Sequence, residues 1–139
     1  MPMLALAFKE KLSPAEVDAW VQGTIGESGE PFMGEAVARA DGRFRKTLFA
    51  KLGANPGPTQ RQIVESSPTP IAVVNGGAEP ILNVDYVETV RYANLWQKCC
   101  YRLAGLGHGP FWESPREFNP LLERFLADVE SGRASAHRA

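Results

Sequence analysis

The run Pro70-Ile71-Ala72-Val73-Val74-Asn75 constrains this chain more than any other feature. It is apolar and rich in β-branched residues, without the polar alternation of a strand that faces water on one side. Such a run reads as a strand enclosed on both faces, as in a parallel sheet. Pro70 bounds it on one side and Gly76-Gly77 on the other. A parallel sheet needs a crossover, and the sequence offers one. Asn83 can cap a helix carrying Val84, Val87 and Val90, after which Lys98 to Leu103 alternates. Cys99, Tyr101 and Leu103 fall on one side and Lys98, Cys100 and Arg102 on the other, which suits a strand near a sheet edge. Ser114-Pro115-Arg116-Glu117 then matches a capping box with proline at the first helical position. Phe118, Leu121, Leu122, Phe125, Leu126 and Val129 give the final helix an apolar face. The predicted order is strand, helix, strand, helix, with parallel strands and a right-handed crossover.

Residues 1–67 have a different rhythm and read as helices separated by glycine and proline. Ser13-Pro14-Ala15-Glu16 is a capping box, followed by Val17, Trp20 and Val21 at helical spacing, with Gly23 and Gly26 as stops. Phe32, Met33, Ala36, Val37 and Ala40 predict a second helix, ended by Asp41-Gly42; Phe44, Leu48 and Leu52 predict a third, closed by Gly53. Asn55-Pro56-Gly57-Pro58 predicts a turn, with a short helix over Gln60 to Glu65. Ser131 to Ala139 is small and polar and is expected to fray, His137 with it.

Composition narrows the function classes. Fifteen basic and sixteen acidic residues leave a net charge of -1, which gives no basic footprint for nucleic acid and no polybasic membrane anchor. No apolar run approaches the roughly 18 residues of a membrane span. The N-terminus lacks a basic leader before its short apolar run and makes a poor signal peptide. The only cysteines, Cys99 and Cys100, are adjacent; a bridge between them would be strained and would staple nothing distant, so free thiols in a reducing, cytoplasmic setting are expected. No His or Cys lies nearby at ligand spacing, so neither a metal nor a cofactor is expected.

In parallel sheets, functional groups sit in the loops past the carboxyl ends of the strands. Two such loops are present, Gly76-Gly77-Ala78-Glu79-Pro80 and Gly105-Leu106-Gly107-His108-Gly109-Pro110. Neighbouring parallel strands would bring them out on one rim, roughly 5 Å apart, so Glu79 and His108 can meet. A carboxylate bonded to one imidazole nitrogen fixes the tautomer and leaves the other nitrogen to take a proton. Asp85, two residues after the Asn83 cap, reads as a helix N-terminal charge, and Glu113 as part of the next helix start. Phe111 and Trp112 could line a pocket or pack under the final helix. Trp20, Phe32, Met33, Phe44 and Phe49 read first as core.

From Pro70 to Val129 this ordered set resembles the C-terminal end of an α/β-hydrolase. The matching residues are Val73-Val74-Asn75-Gly76-Gly77-Ala78-Glu79-Pro80, then Leu103-Ala104-Gly105-Leu106-Gly107-His108, then Phe111-Trp112-Glu113-Ser114-Pro115-Arg116-Glu117-Phe118-Asn119. The resemblance implies a partial α/β-hydrolase fold of class α/β. Residues 1–67 would be a helical cap-like segment, 68–130 the βαβα part of the core, and 131–139 a tail. It implies His108 as the catalytic base and Glu79 as its orienting acid, where the family more often carries Asp, with Phe111 and Trp112 as substrate contacts. The family's nucleophile sits in Gly-x-Ser-x-Gly on a strand-to-helix turn. The nearest match, Gly26-Glu27-Ser28-Gly29-Glu30, has its second glycine misplaced and no strand before it. In the family the nucleophile and oxyanion donors precede the cap, so they are expected upstream of Met1, and Ser, Asp or Cys all stay open. One expectation is therefore an enzyme part, inactive without an N-terminal hydrolase half and directed at a small ester-like substrate. The other is a non-catalytic binding or scaffold protein that self-associates, because two strands are too few for a stable sheet.

Overall fold

A computed structural model describes residues 5–52 and 57–134, residues 49 and 52 by their backbone alone. Gly53, the start of the turn expected at Asn55-Pro56, the first four residues of the chain and residues 135–139 with His137 lie outside the described residues. The chain forms two compact units, Met1–Gly57 and Pro58–Ala139.

The first unit is helical. Helix α1 (Pro14–Ile25) starts at Ser13, whose hydroxyl and backbone N–H engage Glu16 in the expected capping box. It runs through Gly23 and stops at Gly26, which has φ 67°. A single 3-10 turn (Gly26–Ser28) leads to α2 (Pro31–Arg39), and α3 (Gly42–Leu52) follows. Ala7, Val17 and Val21 are buried, whereas Phe8, Phe32, Phe44 and Leu48 are largely exposed. Of the residues read as core, Phe32 and Phe44 thus lie at the surface of this unit, Trp20 and Met33 are half-buried, and the side chain of Phe49 lies outside the described residues.

The second unit begins with α4 (Gln60–Ser66), capped by Thr59. Next come β1 (Ile71–Gly76), α5 (Val84–Glu88), β2 (Leu95–Leu103), α6 (Pro110–Glu113) and α7 (Pro115–Glu130). The two strands pair in parallel, as the crossover requires. Backbone bonds from Ala93 to the Val64 carbonyl and from Ile71 to the Asn94 carbonyl, both 2.9 Å, fix the entry to the sheet. The buried Asn94 side chain is satisfied by the Pro68 carbonyl at 2.7 Å.

Strand β2 differs from the expected Lys98–Leu103 in starting at Leu95. The register explains why. Ile71 pairs with Leu95 and Val73 with Cys100, so extra residues bulge out of β2. Gln97 and Lys98 take left-handed backbone conformations, φ 53° and 57°, which ends the two-residue period. The residue before the bulge is the anchor of the unit. Trp96 is 2 % exposed and donates its indole N–H to Asp128 of α7 at 2.9 Å. Its ring meets Tyr101 and Phe125, with centroids 5.4 and 5.5 Å away.

Two further differences have local causes. Ser114 does not form the expected capping box; its hydroxyl donates to the Glu117 carboxylate at 2.9 Å. Its backbone is held instead by α6, whose Pro110 carbonyl accepts the Ser114 N–H. After α7 the chain does not fray at once: Ala134 is buried and its N–H reaches the Asp128 carbonyl.

Strand β1 is half-buried along Ile71 to Asn75, not enclosed. Among the described residues β2 is its only partner. Ala72 and Val74 look across an open recess of about 210 Å³ to Phe118, Leu121, Leu122 and Phe125 of α7. Leu122, Leu126 and Val129 of the same helix are exposed. The amphipathic face of α7 is therefore only part-covered, a surplus of apolar surface beyond what this sheet can bury.

Candidate functional site

The loops after β1 and β2 are stitched together by their main chains. Gly77 N–H donates to the Leu103 carbonyl at 2.7 Å and Ala78 N–H to the Leu106 carbonyl at 2.8 Å. Gly76 makes this approach possible. A Cβ there would lie 2.0 Å from the Gly107 carbonyl oxygen and 2.2 Å from that of Leu106, so only glycine lets the second loop cross the end of β1.

This brings Glu79 and His108 together. The imidazole Nδ1 is 2.8 Å from Glu79 Oε2. A carboxylate can only accept, so Nδ1 carries the proton and Nε2 keeps its lone pair when the ring is neutral. The other oxygen, Oε1, accepts the backbone N–H groups of Ile81 at 2.6 Å and Leu82 at 3.1 Å. The Glu79 side chain is 3 % exposed and that of His108 36 %: an enclosed acid behind an accessible imidazole. Burial alone would push the Glu79 carboxyl up. The Ile81 amide, His108 and the Leu82 amide outweigh it and hold the group below its ordinary value of 4.5.

That shift has a testable sign. A carboxyl with a lowered folded-state value stabilises the fold above its unfolded value and loses that contribution as pH falls through the folded one. Thermal melts of the wild type and of Glu79→Gln should differ most near neutrality, and the gap should close as pH drops below about 4.5. A gap independent of pH would show that the carboxylate charge plays no part.

The other residues singled out in the sequence lie as follows. Phe111 and Trp112 sit on α6, directly after the His108 loop. Phe111 is 56 % exposed and packs edge-on against Phe118, centroids 6.1 Å apart; Trp112 is half-buried. Asp85 lies in the first turn of α5 and, with Glu88, ion-pairs with Arg102 of β2. Cys99 is an exposed free thiol; Cys100 is half-buried, and burial pushes its thiol up. Among the described residues no group of three or more His, Cys, Asp or Glu could hold a metal ion, and no helix is long and apolar enough to cross a membrane.

Sequence reasoning missed two features. The Glu113 carboxylate accepts the N–H groups of both Gly107 and Gly109. The Asn75 amide nitrogen, at the end of β1, is buried without a hydrogen-bond partner among the described residues. Glu113 was legible only as a residue before a helix start, since its partners are main-chain groups that leave no side-chain signature.

Crystal structures of the N-acyl homoserine lactonase AidH match with a TM-score of 0.88 and 41% identity over 92% of this chain. The chain folds as the C-terminal part of an α/β-hydrolase. It spans only 47% of the matched lactonase chain, less than half of its length. One of those structures is of a serine-to-glycine variant complexed with N-hexanoyl homoserine lactone, and another is complexed with N-butanoyl homoserine. No family model and no curated protein matches this chain.

Proposed function

We propose that this chain supplies the acid–histidine part of an α/β-hydrolase that opens lactones or cleaves related esters. His108 is its general base and Glu79 the acid that orients it. The observation that carries this reading is the 2.8 Å contact between His108 Nδ1 and an enclosed Glu79 carboxylate at the shared rim of two parallel strands. In the reaction, His108 Nε2 takes the proton of a nucleophilic hydroxyl as it attacks the carbonyl carbon. Glu79 stabilises the imidazolium, and the same Nε2 returns the proton to the alkoxide released as the ring opens. Water then hydrolyses the acyl-enzyme by the same shuttle.

The nucleophile and the oxyanion donors come from the other half of the fold. The serine-to-glycine variant of the lactonase is paired with an unopened lactone, and another of its structures with an opened product. This favours serine as the nucleophile and N-acyl homoserine lactones as the substrate class. Phe111, exposed beside the His108 loop, and Trp112 would contact the acyl chain. The two free thiols fit a reducing compartment.

The test is complementation. The chain alone should not open N-hexanoyl homoserine lactone in a pH-indicator assay. Co-expressed with the part of AidH that this chain does not span, it should do so, and His108→Ala should abolish the gain. Turnover by the isolated chain, or a stable but inactive complex, would overturn the reading. The exposed apolar face of α7 and the pairing of β1 with β2 alone among the described residues favour a second reading, a non-catalytic protein that self-associates. Light scattering that shows a stable oligomer which the complementing half cannot dissociate would support it.

A further inference from the structure

We propose that Glu113 is a positioning residue that clasps the His108 loop from behind and sets the direction of the imidazole. The inference rests on the reading of His108 as the base. The two oxygens of one carboxylate are divided between the amides that bracket the histidine. Gly107 N–H donates to Oε2 at 2.7 Å and Gly109 N–H to Oε1 at 3.0 Å. Both bonds are charge-assisted, and they fix the main chain on each side of His108. The Glu79 contact fixes the ring itself. A histidine held at its backbone by one carboxylate and at Nδ1 by another has little freedom left about either.

The arrangement is built, not incidental. Helix α6 is a single turn, and its N-cap is Gly109, whose carbonyl accepts the N–H groups of Trp112 and Glu113. That turn returns Glu113 to the loop it follows. Gly107 matches the fit: a Cβ there would come within 3.2 and 3.4 Å of the Glu113 oxygens, pressing on the clasp. Neither bond is needed to close the sheet, whose loops are already stitched through Gly77 and Ala78. The Glu113 bonds act on the one segment of the second loop that presents His108.

Gln replaces Glu with nearly the same shape but offers one acceptor oxygen and one donor group, so it can satisfy only one of the two glycine amides. The experiment is NMR on the full chain, comparing wild type, Glu113→Gln and Glu113→Ala. Long-range 1H–15N correlation of the histidine ring reports which nitrogen is protonated, and amide exchange reports the clasp. In the wild type the neutral His108 ring should be the Nδ1–H form, with Gly107 and Gly109 amides protected. In Glu113→Gln one of the two amides should exchange about tenfold faster, and the ring should shift towards the tautomer mixture of a free imidazole. In Glu113→Ala both amides should lose protection. The Trp96 indole N–H resonance, bonded to Asp128, checks that the unit stays folded. An unchanged His108 tautomer in Glu113→Gln, with the Trp96 resonance intact, overturns the proposal. Loss of the fold in Glu113→Ala does not rescue it, because the Gln variant decides. No turnover is measured, so a failed complementation and a failed clasp are separate results.

Discussion

Replacing His108 by alanine should lower kcat of the complemented enzyme by about a hundred- to ten-thousand-fold, the usual contribution of a positioned general base. The expected loss is in kcat and not in KM, because the imidazole acts on a proton in flight and not on the resting lactone. Glu79→Gln should retain the fold yet lower kcat as well. A neutral amide can donate to Nδ1, which favours the wrong tautomer and leaves no lone pair at Nε2. Progress curves at saturating N-hexanoyl homoserine lactone separate the two parameters. A His108→Ala enzyme with a raised KM and an unchanged kcat would make the imidazole a binding group and remove it from the chemistry.

Gly76→Ala should be the most disruptive single methyl group in the second unit. The added carbon would lie 2.0 Å from the Gly107 carbonyl oxygen and 2.2 Å from that of Leu106. Both obstacles are main chain, so no side chain can swing aside. Either β1 or the His108 loop must move, at a cost of about 3 kcal/mol. The second unit should then melt more than about 10 °C lower. Gly77→Ala is the control. Its added carbon would meet the Leu103 carbonyl oxygen at 3.2 Å and Ala104 at 3.3 Å, a crowding that a small shift relieves. Equal melting temperatures for the two variants, followed by near-UV circular dichroism of the Trp96 region, would show that the loop does not cross β1 this closely.

The parts legible in the sequence were those written in local chemistry. The β-branched run of β1, the glycines after each strand and the apolar face of α7 gave the parallel sheet and the rim on which Glu79 and His108 meet. The unread parts depend on distant or main-chain partners. The start of β2 was hidden because Gln97 and Lys98 break the alternation. Trp96 is buried by Asp128 and Phe125, which lie far along the chain on α7. Ser114 carried the capping motif, yet its geometry is set by α6, a one-turn helix too short to show a periodic pattern. The enclosure expected for β1 fails in this chain for a simple reason: an apolar run states that a strand should be covered, not whether the covering elements are present.

The stitching between the two loops runs through carbonyl and amide groups at Gly77, Ala78, Leu103 and Leu106, which every amino acid but proline can supply. The spacing of acid and imidazole is thereby uncoupled from most neighbouring side-chain identities. Mutational drift in the side chains at Ala78 or Leu106 can therefore leave the contact between Glu79 and His108 in register.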